Sequence, residues 1–147
     1  MVIMGMVVLW KKDSGVKNVT GIDKQLLASD IVAHNGFAWT ACAVYASNND
    51  NRRRVVSEPF RKVIYLDLPL LANGDSNVLL AEEDKKDGAK FQLKRGIQKF
   101  WECITSYELI DICFSGANYT WCNIQAARRR VWVRLDRVFC NSRWKEH

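Results

Sequence analysis

The chain has 147 residues, which corresponds to about one domain on a prior of ~150 residues per domain. Hydrophobic residues make up 48% and charged residues 26%, ordinary values for a globular protein that exclude a disordered or fibrous chain. The longest apolar run, residues 1–10, is about half of the ~20 residues of a membrane span and follows no basic segment. We therefore expect residues 1–147 to form a single intracellular domain that is neither secreted nor membrane-spanning.

The net charge is +6, from 22 Lys and Arg against 16 Asp and Glu, and the basic residues concentrate near the end of the chain. Seven of them lie between residues 121 and 147, against two acidic residues: Arg128, Arg129, Arg130, Arg134, Arg137, Arg143 and Lys145. Such a segment is typical of a polyanion-binding surface, and a short arginine run is more often a solvated loop. On composition alone, the solvated loop is the favoured interpretation.

Five cysteines occur without CxxC spacing, and their odd number argues against a disulfide framework or a structural zinc site. We predict that they are buried thiols: Cys42, Cys103, Cys113, Cys122 and Cys140.

The first half of the chain alternates β-prone runs with turn-forming residues. Residues 2–10 form one apolar run that predicts a strand. Residues 25–33 and 37–46 flank Asn35-Gly36, and this dipeptide between two such runs predicts an antiparallel hairpin. Apolar residues at helical spacing then predict a helix from near residues 48–54, which Pro59 either kinks or delays to about Glu58.

The second half mixes both element types. Residues 69–72 predict a buried strand that ends in a polar turn at 73–77, and residues 82–90 predict a charged surface loop. The strongest helical pattern places Leu93, Ile97, Phe100, Trp101 and Ile104 on one face. Three β-prone runs follow, at 109–113, 119–122 and 131–139.

Several segments in this order resemble one family. Residues 44–48 resemble a strand that presents a tyrosine, and residues 69–77 resemble a strand that ends in a Gly-Asp-Phe/Leu-Asn motif. Residues 114–123 and 134–141 resemble the Phe-Thr-Trp-x-Asn and Arg-Leu-Asp-Arg segments. Together they are similar to the endonuclease/exonuclease/phosphatase superfamily and, within it, to the endonuclease domain of plant LINE-type (non-LTR) retrotransposons. The resemblance implies an α/β (α+β) fold, a partial two-sheet β-sandwich flanked by helices.

The resemblance also implies a Mg²⁺-dependent phosphodiesterase that nicks DNA, and roles for four residues. Asp75 would orient or deprotonate the attacking water, and Asn77 would hydrogen-bond the scissile phosphate. Tyr45 would stand near the phosphate, and Asp136 would support the metal site. Spacing by two places Asp75 and Asn77 on one face of an extended chain. Without the resemblance, residues 74–77 are an ordinary turn, Tyr45 a half-buried core residue and Asp136 an ion-paired strand residue.

Some family residues have no counterpart in this sequence. The family binds Mg²⁺ chiefly through a glutamate on an early strand and uses a Ser-Asp-His segment on its last strand, and neither is found here. His147 is a poor substitute, because a terminal residue lacks a positioned carboxylate. Ser76 stands where the family has a large apolar residue. We therefore expect a domain truncated at both ends, with weak or absent Mg²⁺ binding and little or no hydrolysis.

An alternative is a non-catalytic remnant that binds nucleic acid weakly and in a salt-dependent manner. Its contacts would come from the basic segment: Arg128, Arg129, Arg130, Arg134 and Arg137. Trp132 and Trp144 are the exposed stacking candidates, whereas the patterns around Trp101 and Trp121 predict core packing. A third alternative is a chain without a stable fold, because lost outer strands leave open sheet edges. A retrotransposon origin would mean that the protein acts on nuclear DNA. The sequence predicts no oligomeric state.

Overall fold

The computed structural model describes residues 2–3, 6–47, 57–64 and 67–147. The strands are β1 (Val2–Ile3), β2 (Met6–Val7), β3 (Val16–Gly21), β4 (Leu26–Val32), β5 (Ala38–Tyr45), β6 (Leu70–Asp75), β7 (Lys85–Lys86), β8 (Ile110–Asp111), β9 (Trp121–Cys122), β10 (Trp132–Val133) and β11 (Asp136–Cys140). The helices are α1 (Ser57–Ile64), α2 (Arg95–Ser106) and α3 (Ser142–Lys145), with 3₁₀ turns at Glu82–Asp84 and Ala127–Arg129.

A six-stranded sheet in the order β3-β4-β5-β6-β11-β8 forms the centre of the fold. Its neighbouring strands are antiparallel except for β5 and β6, which are parallel. A parallel pair needs a crossover connection, and α1 lies in the segment between these two strands. A smaller sheet in the order β7-β10-β9 stands beside the central one. This mixed arrangement of a large sheet, a small sheet and few helices confirms the predicted fold class.

The main core lies on one face of the central sheet, beneath α1 and α2. Alternate residues of the inner strands point into it, as the two-residue period of a strand requires. Its members from the sheet are Leu26, Ala28, Cys42, Val44, Leu70, Ala72 and Phe139. The helices supply Phe60, Val63, Ile97, Phe100, Cys103 and Ile104. Phe60 is fully buried, and the rings of Phe100 and Phe139 meet edge to face with centroids 6.0 Å apart.

The predicted hairpin is confirmed as β4 and β5, which pair from Leu26 opposite Val44 to Val32 opposite Ala38. Gly36 has φ +83°, a left-handed value that favours glycine. The side-chain oxygen of Asn35 accepts the backbone N–H of Phe37 at 3.1 Å. The turn chemistry that predicted the hairpin therefore forms its loop.

The apolar N-terminal run is not the single strand that its composition predicted. It contains the short strands β1 and β2, which pair antiparallel with Ile3 opposite Met6, while residues 4 and 5 lie outside the described residues. Leu9 is 86% exposed. An apolar run alone does not specify where a chain reverses, because pairing depends on turn geometry as well as hydrophobicity.

Helix α1 agrees with the prediction of a start near Glu58, and residues 48–56 lie outside the described residues. Pro59 occupies its first turn, where the missing N–H removes no helical hydrogen bond. Helix α2 begins at Arg95, so Leu93 precedes it and is 55% exposed. Trp101 was predicted to pack in the core but is 44% exposed, because the buried face runs through Ile97, Phe100 and Ile104.

Two predictions of secondary structure in the second half were wrong. The run 131–139 is two strands in different sheets, with β10 in the small sheet and β11 in the central one. The charged run 82–90 is only partly a surface loop, since β7 pairs with β10 and the Asp84 carboxylate is buried. Strand β3 was not predicted.

Within the described residues, no helix has the length and apolar character needed to cross a membrane.

The prediction of buried thiols holds for Cys42, Cys103 and Cys140 and is wrong for Cys113, which is exposed. Cys122 is partly exposed. Burial raises the pKa of Cys42 to about 12, with a further increase from the Asp30 charge. Burial also raises the pKa of Cys103 to about 12. Both thiols therefore stay protonated at neutral pH.

Candidate functional site

Three of the four predicted catalytic residues form one row across neighbouring strands. Tyr45 on β5 pairs in register with Asp75 on β6, and Asp75 pairs with Asp136 on β11. Residues in register share a face of the sheet, and directly opposed residues of an antiparallel pair, such as Asp75 and Asp136, have Cβ atoms about 4.5–5.5 Å apart. Residues far apart in the sequence thus present a phenol and two carboxylates side by side. Tyr45 is 47% exposed, and Asp136 is also exposed.

The row belongs to the sheet face opposite α1 and α2. The next residues on that face are Ala43, Asn73 and Val138, which are again paired in register. They line a groove of about 630 Å³, together with Asp136, Arg134 and Phe114. A groove of this size falls within the ~300–1,000 Å³ range of ligand sites. The row therefore lies on an accessible, partly apolar surface.

Gly74 sets the close approach of the two strands that carry Tyr45 and Asp75. Its φ is +136°, and it lies opposite Val44 on β5. A Cβ atom built on Gly74 would meet the carbonyl oxygen of Val44 at 2.0 Å. A side chain at this position would push β5 and β6 apart. The close approach of the two strands therefore explains why the Gly-Asp-Phe/Leu-Asn motif has glycine here.

Asn77 does not share a strand face with Asp75, contrary to the spacing argument. Strand β6 ends at Asp75, and Asn77 has φ +49°. Its backbone N–H donates to Oδ1 of Asp75 at 2.8 Å, and its Nδ2 donates to the Ala46 carbonyl at 2.7 Å. Because an amide nitrogen carries two hydrogens, one donor of Asn77 is left for another acceptor. Asn77 thus joins the end of β6 to the end of β5, beside the row.

Ser76 is buried, so its position does face the interior as the family pattern requires. Its hydroxyl donates to the carbonyl oxygen of Leu135 at 2.7 Å, and its backbone N–H donates to the same oxygen at 2.9 Å. These hydrogen bonds satisfy the buried hydroxyl, which lowers the cost of replacing a large apolar residue. They also tie β6 to the residue before Asp136.

Two residues of the Phe-Thr-Trp-x-Asn segment hold neighbouring backbone in place. The hydroxyl oxygen of Thr120 accepts the backbone N–H groups of Leu135 and Asp136, each at 3.1 Å. The side-chain oxygen of Asn123 accepts the N–H of Val131 at 3.0 Å, and its Nδ2 donates to the Arg129 carbonyl at 2.9 Å. Thr120 therefore fixes Asp136, and Asn123 closes the loop that follows β9.

The loop between β9 and β10, residues 123–131, carries the arginine triplet, and we call it the arginine loop. Arg128, Arg129 and Arg130 are all exposed, and Nε of Arg130 donates to the Gln125 carbonyl at 3.2 Å. Asn123 joins the two ends of the loop. The structure thus presents three cationic side chains on a closed loop.

Arg137 lies in the interior, which argues against the prediction that it contacts a polyanion. Its side chain is 2% exposed and forms ion pairs with Asp84 and Asp111. The Asp84 carboxylate also accepts the backbone N–H groups of Leu80 and Ala81. No sequence pattern identified this cluster, because Asp84 stands in an acidic run that is typical of a solvated surface.

Arg134 has an intermediate position on the wall of the groove. Its Nη2 pairs with Oδ1 of Asp111 at 3.1 Å, and its guanidinium carbon lies 4.2 Å from the centroid of the Phe114 ring. The side chain is 17% exposed. Arg134 therefore keeps some access to the groove that Asp136 also lines.

The donor set of the row fits a hard divalent cation only in part. Mg²⁺ binds through oxygen ligands and often uses one or two carboxylates together with water and substrate phosphate. Asp75 and Asp136 supply two carboxylates on one face. Among the described residues, however, no three His, Cys, Asp or Glu side chains form a group suited to a metal ion. If Mg²⁺ binds here, Asp75 and Asp136 would hold it, and it would stabilise the charge that develops on a phosphate.

The chemistry available in the row is that of general base catalysis and phosphate orientation. A carboxylate on an accessible surface can accept a proton from water, and the Tyr45 hydroxyl and Asn77 amide can donate to phosphate oxygens. Arg134 adds a positive charge on the same side. The arrangement therefore contains groups that phosphodiester hydrolysis uses, gathered from three strands and the turn after β6.

Comparison with known proteins shows the fold of this chain. No family model and no curated protein matches the sequence. Among solved structures, the catalytic domain of human Nocturnin with a bound sulfate anion aligns over 86% of this chain, with a TM-score of 0.50 and 14% identity. The likeness supports an endonuclease/exonuclease/phosphatase-type fold.

Two structures of TDP2 from D. rerio also align. The complex with a single-stranded DNA product covers 80% of this chain and 46% of that chain, with a TM-score of 0.44 and 15% identity. A humanized form with 14 mutations covers 89% of this chain and 54% of that chain, with a TM-score of 0.47 and 16% identity. The chain spans 48% of the Nocturnin structure and thus about half the length of each of these three structures.

Proposed function

We propose that this chain belongs to a metal-dependent phosphodiesterase domain that nicks DNA, of the kind found in LINE-type retrotransposons. Its 147 residues supply the part of the site that orients water and the scissile phosphate. They lack counterparts of the family's principal metal-binding glutamate and Ser-Asp-His segment. On its own the chain is therefore expected to hydrolyse DNA weakly or not at all. If the domain comes from a retrotransposon, its target would be nuclear DNA.

The observation that carries the proposal is the row of Tyr45, Asp75 and Asp136. The sequence resemblance assigns site roles to these three residues, which come from three separate segments of the chain. The register of the central sheet brings all three to one face.

Nicking of supercoiled plasmid DNA in the presence of Mg²⁺ tests the proposal. We expect little or no nicked circle from the 147-residue chain, and loss of any Mg²⁺-dependent nicking in Asp75→Asn. This variant removes the negative charge but keeps an oxygen that can accept the Asn77 N–H. Rapid nicking that depends on Asp75 would overturn the expected defect. Mg²⁺-dependent nicking at the same rate in Asp75→Asn would contradict the assigned site.

A second candidate function is nucleic-acid binding without catalysis, and the exposed arginine loop favours it. Phosphate contacts release counterions, so affinity falls steeply between ~50 and ~200 mM salt. Replacing Arg128, Arg129 and Arg130 by alanine is expected to weaken duplex binding. Because each lost phosphate contact contributes ~0.9, the negative slope of log affinity against log salt should become shallower by about 2.7. Fluorescence anisotropy with a labelled duplex at several salt concentrations measures both.

A matched control removes three exposed basic residues from another surface. Lys94 lies just before α2, and Arg95 and Lys99 lie within it, so replacing all three by alanine changes the net charge equally. We expect this variant to retain most of the affinity and the salt slope. Equal losses in the two triple variants would mean that net charge alone drives binding and would exclude a specific role of the arginine loop.

A further inference from the structure

The outer face of the small sheet combines one tryptophan with basic side chains. Trp132 on β10 is directly opposite Lys86 on β7 and Cys122 on β9. Its neighbour Val133 is buried, so the alternation of the strand directs Trp132 away from the interior. Trp132 is 37% exposed, and Lys86 is exposed. The indole therefore has an accessible surface beside a cation.

The arginine loop leaves the small sheet next to this tryptophan. It connects β9 with β10, and Arg130 is only two residues before Trp132. Asn123 closes the loop by hydrogen bonds to Arg129 and Val131. Positive charges thus flank the indole from β7 and from the loop. The carboxylate nearest in sequence to this basic group is Asp87, which follows Lys86 and is exposed.

We propose that Trp132 stacks on an unpaired base of single-stranded DNA, while Lys86 and the arginine loop bind its phosphates. The inference deepens the proposed function and rests on it, since it names the DNA that the site would accept. An aromatic ring within a basic surface suits single strands, because every base has a π-face and every nucleotide carries a negative charge. In a duplex, each internal base is already covered on both faces by its neighbours.

The position of Trp132 relative to the row supports this assignment. Trp132 and Asp136 are only four positions apart in the sequence, so their Cα atoms are at most about 14 Å apart at ~3.3–3.6 Å per residue. Stacked nucleotides rise about 3.4 Å each along one strand, so this span covers about four nucleotides. Thr120 fixes the connection by accepting the N–H groups of Leu135 and Asp136. A strand on Trp132 would therefore be unpaired within a few nucleotides of the row.

Equilibrium binding to labelled oligothymidylate of about 12 nucleotides, within the ~4–16 nucleotides of single-strand sites, tests the inference. A duplex of equal length is the second probe. We expect Trp132→Leu to lose about tenfold in affinity for the single strand, with little change for the duplex. Trp132→Phe restores an aromatic face and should keep most of the affinity. The matched control is Trp101→Leu, which removes a tryptophan that is 44% exposed on α2.

Circular dichroism melting of each variant separates lost stacking from lost folding. Equal binding by Trp132→Leu and the unaltered protein would overturn the inference, and so would equal losses in the Leu and Phe variants. If duplex binding still depends on the arginine loop in that case, the proposed function survives and only the stacking role fails. Binding to neither probe would overturn the inference together with the DNA-binding part of the proposed function. Tighter binding to oligouridylate than to oligothymidylate would overturn the assignment to DNA.

Discussion

Replacing Arg137 with methionine is expected to lower the free energy of unfolding by about 3–5 kcal/mol, the cost of removing one partner from a buried ion pair. The guanidinium is 2% exposed and pairs with Asp84, which is 8% exposed, and with Asp111. Methionine has a similar length but leaves the Asp84 charge in the interior with only two backbone N–H donors. Urea unfolding monitored by circular dichroism measures the change.

Arg143 provides a matched control for Arg137. It pairs with Asp67 at 2.6 Å, but the two side chains are 52% and 76% exposed. Exposed ion pairs contribute about 0–1 kcal/mol, so Arg143→Met should have little effect on unfolding. Similar losses for Arg137→Met and Arg143→Met would contradict the interior position of Arg137. Loss of DNA affinity in Arg137→Met without loss of stability would support the predicted role of Arg137 as a phosphate contact.

A double variant tests whether Arg137 acts through Asp84. If Asp84 is changed to asparagine, no buried charge at this position needs the guanidinium, and Arg137→Met should then cost less. The coupling energy between contacting charged residues is typically about 0.5–3 kcal/mol. Strictly additive losses would mean that Arg137 stabilises the fold mainly through Asp111 or through packing.

The Gly74→Ala variant is expected to lose about 2–5 kcal/mol of stability. A left-handed backbone costs a residue with a side chain about 1–2 kcal/mol, and overpacking adds about 1–3 kcal/mol. The added Cβ would lie 2.0 Å from the Val44 carbonyl oxygen, which is backbone and cannot rotate away. Thermal or urea unfolding measures the loss. A shift of β5 from β6 would also separate Tyr45 from Asp75.

Gly116 distinguishes the close contact from the backbone conformation. It has φ +112°, and no atom lies within 4 Å of a Cβ built there. Gly116→Ala should therefore show only the backbone cost, about 1–2 kcal/mol. Equal losses at Gly74 and Gly116 would mean that the approach of β5 and β6 does not require glycine.

The sequence predicted the local elements well where turn chemistry marked their ends. Asn35-Gly36 predicted the hairpin of β4 and β5, and helical spacing predicted α2. The division of residues 131–139 between two sheets was not predictable in this way. It depends on hydrogen bonds from distant residues, such as those that Leu135 and Asp136 donate to Thr120.

The candidate site was predicted through resemblance, and its geometry depends on long-range pairing. Tyr45, Asp75 and Asp136 carry no local signal that they meet, because the register of β5, β6 and β11 is set over the whole sheet. The spacing argument for Asp75 and Asn77 was wrong, since the strand ends between them. Arg137 has the same local sequence character as the exposed arginines, and only its interior position, paired with Asp84 and Asp111, distinguishes it from them.

A map of amide chemical shifts tests the central claim most directly, because it does not require turnover. In the ¹⁵N-labelled protein, titration with oligothymidylate in the presence of Mg²⁺ reports which residues meet the phosphates. We expect the amides of Tyr45, Asp75 and Asp136 to shift together with those of the arginine loop. Shifts confined to other surfaces, such as Lys94 and Lys99 on the α2 side, with none in the row, would contradict a phosphodiester site at Tyr45, Asp75 and Asp136.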